Sequence, residues 1–139
     1  MNAQRILVAE GRARTANQLR RCLQEAGYEV ATAASGAAVL QMIARDAPDL
    51  VLVDQALPDM HGWDLVRSLR EDRRLNEVGI IVLGAGRDEV IPVVSLELGA
   101  DDFVPRPFSD RELLARVRAV LRRCAPARRP AATERRMSV

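Results

Sequence analysis

Three residues of this chain could do chemistry together: Glu10, Asp54 and Arg106. Each closely follows a short apolar run: Ile6-Leu7-Val8 for Glu10, Leu50-Val51-Leu52-Val53 for Asp54 and Phe103-Val104 for Arg106. A carboxylate held at the end of a rigid strand can accept a phosphoryl group, with Asp54 as nucleophile. Two carboxylates facing each other repel, and a divalent cation or a cationic side chain relieves that. Arg106 is the candidate cation. The same spacing also fits a plainer arrangement in which Asp54 caps a turn and pairs with Arg106. His61 is the sole histidine, so neither a histidine metal cluster nor a Ser–His–Asp triad can be built. No enzymatic centre is expected. Leu83-Gly84-Ala85-Gly86-Arg87 lacks both the third glycine of a dinucleotide fingerprint and the ending of a P-loop, so it reads as an unrestrained loop.

The elements that must position these residues follow from the apolar pattern. Ile6–Val8, Leu50–Val53 and Ile80–Leu83 are continuous apolar runs, as in strands buried on both faces of a parallel sheet. Weaker strands are read at Glu29–Thr32 and Asp102–Val104. Between them lie helical spacings. Ala16, Leu19, Leu23 and Ala26 form the first, stopped by Gly27; Val39, Met42 and Ile43 form the second, capped by Ser35. Leu65, Val66 and Leu69 mark a third helix. Leu113, Val117, Val120, Leu121 and Cys124 mark a long C-terminal one, with Ser109 and Glu112 as a capping box. Alternation of this kind predicts an α/β fold: a doubly wound, five-stranded parallel sheet of flavodoxin-like type, with its functional crevice at the carboxyl ends of the strands. Those ends are Ala9-Glu10-Gly11, Asp54-Gln55-Ala56, Gly84-Ala85 and Pro105-Arg106-Pro107. A flavin-binding enzyme shares that fold, but Tyr28, Trp63, Phe103 and Phe108 are the only aromatic rings besides His61.

Composition bounds the rest. The 139 residues suit one domain. Its 48% apolar content excludes a disordered chain, while its apolar runs are too short for a membrane span or a signal peptide. Cys22 and Cys124 make no disulfide framework, which points to reducing cytosol. All 21 basic residues are Arg. Residues 1–124 carry 17 Arg and 18 acids, whereas residues 125–139 carry 4 Arg and 1 acid with Pro126 and Pro130. We therefore divide the chain into a domain over 1–124 and a basic linker over 125–139 that leads to something further.

Residues 5–124 resemble the receiver domain of bacterial two-component response regulators. The resemblance is carried by Arg5-Ile6-Leu7-Val8 with Glu10, Asp49–Asp54 with Leu57-Pro58-Asp59-Met60-His61-Gly62, Leu96–Phe103, and Pro107-Phe108. From Leu96 through Arg111-Glu112-Leu113 to Arg122-Arg123 the chain further resembles the OmpR/PhoB subfamily, whose receivers precede a winged-helix DNA-binding domain. Glu134–Val139 looks like the first small strand after the linker, so DNA would be contacted by a domain beyond this chain. The resemblance implies a CheY-like fold, a sensor kinase as phosphate source, a cytoplasmic location and no membrane partner.

It also exposes departures. Where such receivers have two adjacent acids, this chain has Glu10 and Gly11; a Thr or Ser becomes Gly84, and a Lys becomes Arg106. The family's magnesium donors would be Glu10, Asp54 and the carbonyl of Ala56, one carboxylate short because of Gly11. Gly84 removes a hydroxyl hydrogen bond to the phosphoryl group, of the kind that contributes about 1.5–3 kcal/mol. Arg106 keeps the charge but pairs bidentately with carboxylate. Magnesium binding and Asp54 phosphorylation are therefore expected to be weak or absent. Without a hydroxyl at Gly84 to follow, the family's aromatic switch position, Phe103, is expected to pack in the core. Two further routes stay open: a conventional phosphoacceptor receiver, or regulation by a small ligand or protein partner. The resemblance also implies a homodimer through a helix near residues 91–98, the last strand and the C-terminal helix. The matching residues are Val93, Leu96, Asp101, Asp102, Glu112, Arg116 and Arg123. Pro92 is tolerated only in a helix's first turn, so that helix should begin near Ile91 or Pro92.

Overall fold

A computed structural model describes residues 3–84 and 97–137, with side chains through Cys124. The elements run β1 (Arg5–Ala9), α1 (Ala13–Glu25), β2 (Glu29–Ala33), α2 (Gly36–Arg45), β3 (Leu50–Asp54), α3 (Gly62–Glu71), a 3-10 turn (Arg73–Leu75), β4 (Gly79–Gly84), β5 (Asp102–Pro105) and α4 (Asp110–Met137). The strands form one parallel sheet in the order β2-β1-β3-β4-β5, as the alternation of strands and helices predicts. The chain reverses its direction of travel between β1 and β3, and the crevice of such a sheet opens beside that switch point.

The strand period of two sorts each side chain to a face. Leu7, Ala9, Val51, Val53, Ile80, Val82 and Phe103 point to one side, where Val39 and Ile43 of α2 and Leu65, Val66 and Leu69 of α3 cover them. Ile6, Val8, Leu50, Leu52, Ile81, Leu83 and Val104 point to the other, under Leu19 and Leu23 of α1 and Leu113, Val117, Val120 and Leu121 of α4. Both faces are dry, which is why the central strands show no polar alternation.

The predicted caps and stops are largely in place. Ser35 Oγ accepts from the Ala38 N–H at 3.1 Å, and Ser109 Oγ accepts from the Glu112 N–H at 3.0 Å. Gly27 ends α1 at a φ of +100°, the left-handed conformation that glycine adopts without penalty. Ala26 does not extend the buried face of α1: it lies past the last helical turn and is exposed. The largest difference is at the C-terminus. Residues 125–137, read above as an irregular linker with a strand opening at Glu134, continue α4 as helical backbone to Met137. Alanine and arginine are strong helix formers, and eight of these thirteen residues are one or the other. The predicted helix start at Ile91 or Pro92 lies outside the described residues, as do Val93 and Leu96.

The far edge of the sheet is fastened by one side chain. Arg70, from α3, donates from Nε to the Gly99 carbonyl at 2.8 Å, from Nη1 to the Leu75 carbonyl at 2.9 Å and from Nη2 to Asp101 Oδ2 at 2.9 Å. Asp101 Oδ2 in turn accepts from the Ile80 N–H at 2.8 Å, tying the start of β4 to the entry of β5. Replacing this partly buried cation with an apolar side chain leaves two carbonyls and a carboxylate short of a partner. Arg70→Met should lower stability by about 2–4 kcal/mol, read from the urea midpoint at unchanged slope.

Candidate functional site

The register of the strands assembles the site. Ala9 pairs with Val53 and Val53 with Val82, so Glu10 and Asp54, one residue further along their strands, meet at the rim. Gly84 pairs with Pro105, which brings Arg106 to the same level. Glu10 and Asp54 are 2% and 3% exposed and are the buried charged residues among those described. Removing two like charges from water is unfavourable unless cations and hydrogen bonds compensate.

Two guanidinium groups provide that compensation. Arg106 donates from Nη1 to Asp54 Oδ1 at 3.1 Å and from Nη2 to Glu10 Oε1 at 3.2 Å. Arg12, which the sequence reading did not single out, donates from Nε and from its backbone N–H to Glu10 Oε2 at 3.3 and 3.0 Å. Its Nη2 lies 3.6 Å from Asp54 Oδ2. Asp54 Oδ1 also accepts from the Ala56 N–H at 3.4 Å. The result is a charge-neutral ring of alternating sign in which every carboxylate oxygen faces a cation. The hydrogen bond to Glu10, followed by the charge of that carboxylate, raises the pKa of Arg12. The only signal for Arg12 in the sequence was its place two residues after Glu10, within reach of the same rim.

The space left by the departures is filled. A Cβ on Gly11 would lie 2.8 Å from Pro58 Cδ and 3.3 Å from the Ala34 carbonyl, so Pro58 packs where a second acid would begin. A Cβ on Gly84 would collide with Gln55 Oε1 and lie 2.7 Å from Cε1 and Cζ of Phe103. Phe103 is 7% exposed and belongs to the core, as expected of its position. Gln55 Oε1 is buried without a hydrogen-bond partner. The same cleft is lined by Leu57, Pro58 and His61, and the His61 ring stacks on Trp63 at 5.3 Å. Arg106 also lies over the Phe108 ring, 5.9 Å from its centroid.

These residues do not suit magnesium as arranged. A hard octahedral cation needs free carboxylate oxygens, whereas those of Glu10 and Asp54 already face Arg12 and Arg106. Among the described residues no cluster of three or more Asp, Glu, His or Cys is gathered to hold a metal.

Asp59, in the loop after β3, accepts from the Gly36 and Ala37 N–H groups at 2.9 and 3.0 Å, joining the site loop to the first turn of α2. These backbone hydrogen bonds lower its pKa below the ordinary 3.8. The charged residues expected at a dimer surface are engaged within the chain, while Val93 and Leu96 lie outside the described residues. Asp101 binds Arg70; Asp102 accepts from Arg116 at 3.1 and 3.2 Å; Glu112 lies 3.7 Å from Arg116; and Arg123 donates to the Asp101 carbonyl at 3.3 Å.

A parallel sheet of this order with a buried aspartate at its carboxyl rim is the arrangement of a receiver domain. Residues 6–118 match the response regulator receiver domain family, and the chain belongs to that family. It is 40% identical over 122 residues to the transcriptional regulatory protein GltR of Pseudomonas aeruginosa, covering 88% of this chain and 50% of that protein. It is 44% identical over 120 residues to the DNA-binding response regulator MtrA of Mycobacterium tuberculosis, covering 86% and 51%. These relatives are OmpR/PhoB-type regulators, and the chain spans about half their length. Among solved structures, a putative response regulator from Chloroflexus aurantiacus superimposes with a TM-score of 0.83 at 32% identity, over 86% of this chain and 98% of that one. Among the described residues no helix is long and apolar enough to cross a membrane.

Two measurements probe this packing. Gly84→Thr must displace Gln55 and Phe103, and should cost about 1–3 kcal/mol in urea unfolding, with a shift of the Phe103 ring resonances. Asp59 is the second. Because its folded pKa lies below the unfolded value, its contribution to stability is present above the ordinary carboxylate range and is lost as pH falls through the folded value. Its carboxyl carbon should titrate below 3.8 by NMR, and Asp59→Asn should be less stable near neutral pH but match the parent once that group is protonated.

Proposed function

We propose that this domain is the regulatory half of a DNA-binding transcription factor in the cytoplasm, and that its phosphoacceptor pocket is held shut by its own arginines. Receiver domains are regulatory modules that bind magnesium when they are phosphorylated. Here the observation that carries the reading is the position of the Arg106 guanidinium, 3.1 Å from Asp54 and 3.2 Å from Glu10, where metal and phosphate would have to enter. Phosphorylation of Asp54 therefore needs this guanidinium expelled, Gly84 offers no hydroxyl to the phosphoryl oxygens, and Gly11 offers no second acid. A sensor kinase has little to act on, and activity is set by self-association or by another signal instead.

On this reading the domain spans residues 1–124 and residues 125–139 join it to a winged-helix DNA-binding domain. It pairs with a second copy through Val93, Leu96, Asp101, Asp102, Glu112, Arg116 and Arg123. Asp102, Glu112 and Arg116 pair with one another within one chain, and in a dimer they would exchange partners across the two-fold axis.

Incubation with magnesium and a small phosphodonor, followed by intact mass measurement, should give no stoichiometric phosphate adduct; a full adduct on Asp54 would overturn the proposal. Arg106→Ala should be less stable than the parent by about 2–4 kcal/mol, below the range for a fully buried pair because Arg106 is 26% exposed. Millimolar magnesium should raise the melting temperature of Arg106→Ala while leaving the parent unchanged, because only the variant has carboxylate oxygens free to bind it.

A further inference from the structure

The charge of this domain is polarised between its two layers. Helices α1 and α4, counted to Cys124, carry eight Arg and three acids, whereas the rest of residues 1–124 carries nine Arg and fifteen acids. The two helices pack on the same face of the sheet and run in the same direction, each following a parallel strand back across it. Arg14 and Arg21 are exposed on α1, and Arg111, Arg118 and Arg122 are exposed on α4. None of these five has a carboxylate within 4.0 Å among the described residues, unlike Arg116, which is tied to Asp102 and Glu112.

Their spacing is regular. Arg14 and Arg21 are seven residues apart, as are Arg111 and Arg118, and Arg122 follows one turn later. At about 3.6 residues per turn each set falls on a single stripe, with a step of roughly 10 Å along the axis. Arg129 and Arg136 repeat the seven-residue step, and the backbone is helical through Met137. All the cations are guanidinium groups, whose planar fork matches phosphate oxygens and holds its charge at any physiological pH.

We propose that the α1/α4 face docks on the phosphate backbone of duplex DNA without reading sequence. The choice of DNA over an acidic protein rests on the reading of the chain as half of a DNA-binding regulator, which would hold the domain near a duplex. The stripe then neutralises phosphates and releases their counterions. Binding should therefore weaken steeply with salt, with a slope of about −0.9 per phosphate contacted.

Fluorescence anisotropy of the 139-residue chain with a labelled duplex of arbitrary sequence tests this. Binding at low salt is expected, with a log–log salt slope between about −3 and −5. The double variant Arg118→Ala/Arg122→Ala should reduce the slope by about 2 and weaken binding at least tenfold at low salt. Arg67→Ala/Arg73→Ala, an equal charge change at exposed sites outside α1 and α4, should leave both unaltered. Circular dichroism confirms that both variants are folded. No binding at low salt overturns the proposal, as does equal loss in the two variants. Competition by polyglutamate as effective as DNA at matched charge also overturns it, in favour of an acidic protein partner. The phosphodonor experiment above is independent, so a shut pocket and a DNA-docking face can fail separately.

Discussion

The structure turns on one guanidinium group placed between two buried carboxylates. β1 and β3 are adjacent because the chain reverses direction between them, and their register leaves no choice about where Glu10 and Asp54 end. Side by side in a low-dielectric rim, two such acids either take up a proton or recruit positive charge. Arg106 answers that requirement from the neighbouring end of β5, reaching both acids with separate nitrogens. A lysine ammonium presents all its donors from one nitrogen, whereas the planar fork reaches the two acids from separate nitrogens in a fixed geometry. Arg12 completes the neutralisation from the mouth of the cleft.

Around that pairing the departures at Gly11 and Gly84 act as one repacking. Pro58 occupies the space over Gly11, and Phe103 with Gln55 occupies the space over Gly84. Returning one family-typical side chain would strain a neighbour without rebuilding the pocket, because the other two positions remain adapted to its absence. Interiors packed at crystal-like density have no slack to absorb such a change. Gln55 Oε1, buried without a hydrogen-bond partner, is part of this repacking: it lies in the space a side chain at position 84 would need.

Much of the architecture was legible in the sequence because the signals were local. Uninterrupted apolar runs marked β1, β3 and β4; Ser35 and Ser109 marked helix starts; Gly27 marked a stop. Glu10, Asp54 and Arg106 could be found because strand ends converge in a doubly wound sheet. Arg12 could not, since its role depends on how the chain turns after Gly11. Arg70 was equally hidden: nothing in its local sequence reveals three acceptors brought from two distant loops. The helical backbone beyond Cys124 was not legible because Pro126 and Pro130 are local stop signals, set against the helix-favouring alanines and arginines around them.

β5 gives the site its route to the rest of the molecule. β5 and the residue that follows it hold Asp102, bonded to Arg116 on α4; Phe103, wedged over Gly84; and Arg106, bonded to Asp54 and Glu10. A change at one end of so short a strand is felt at the other. Yet a ligand shifts an equilibrium only by the difference in its affinity for the two states. On the proposed reading, a pocket whose acids are already satisfied gives phosphate and metal little such difference to exploit. The Asp102–Arg116 pair is the opposite case: Arg116 is 44% exposed and carries no deep desolvation cost, so in the proposed dimer it could exchange its carboxylate for one on a second molecule. On the reading proposed above, in which self-association rather than phosphate sets activity, β5 is the strand that would connect the α4 surface to the site.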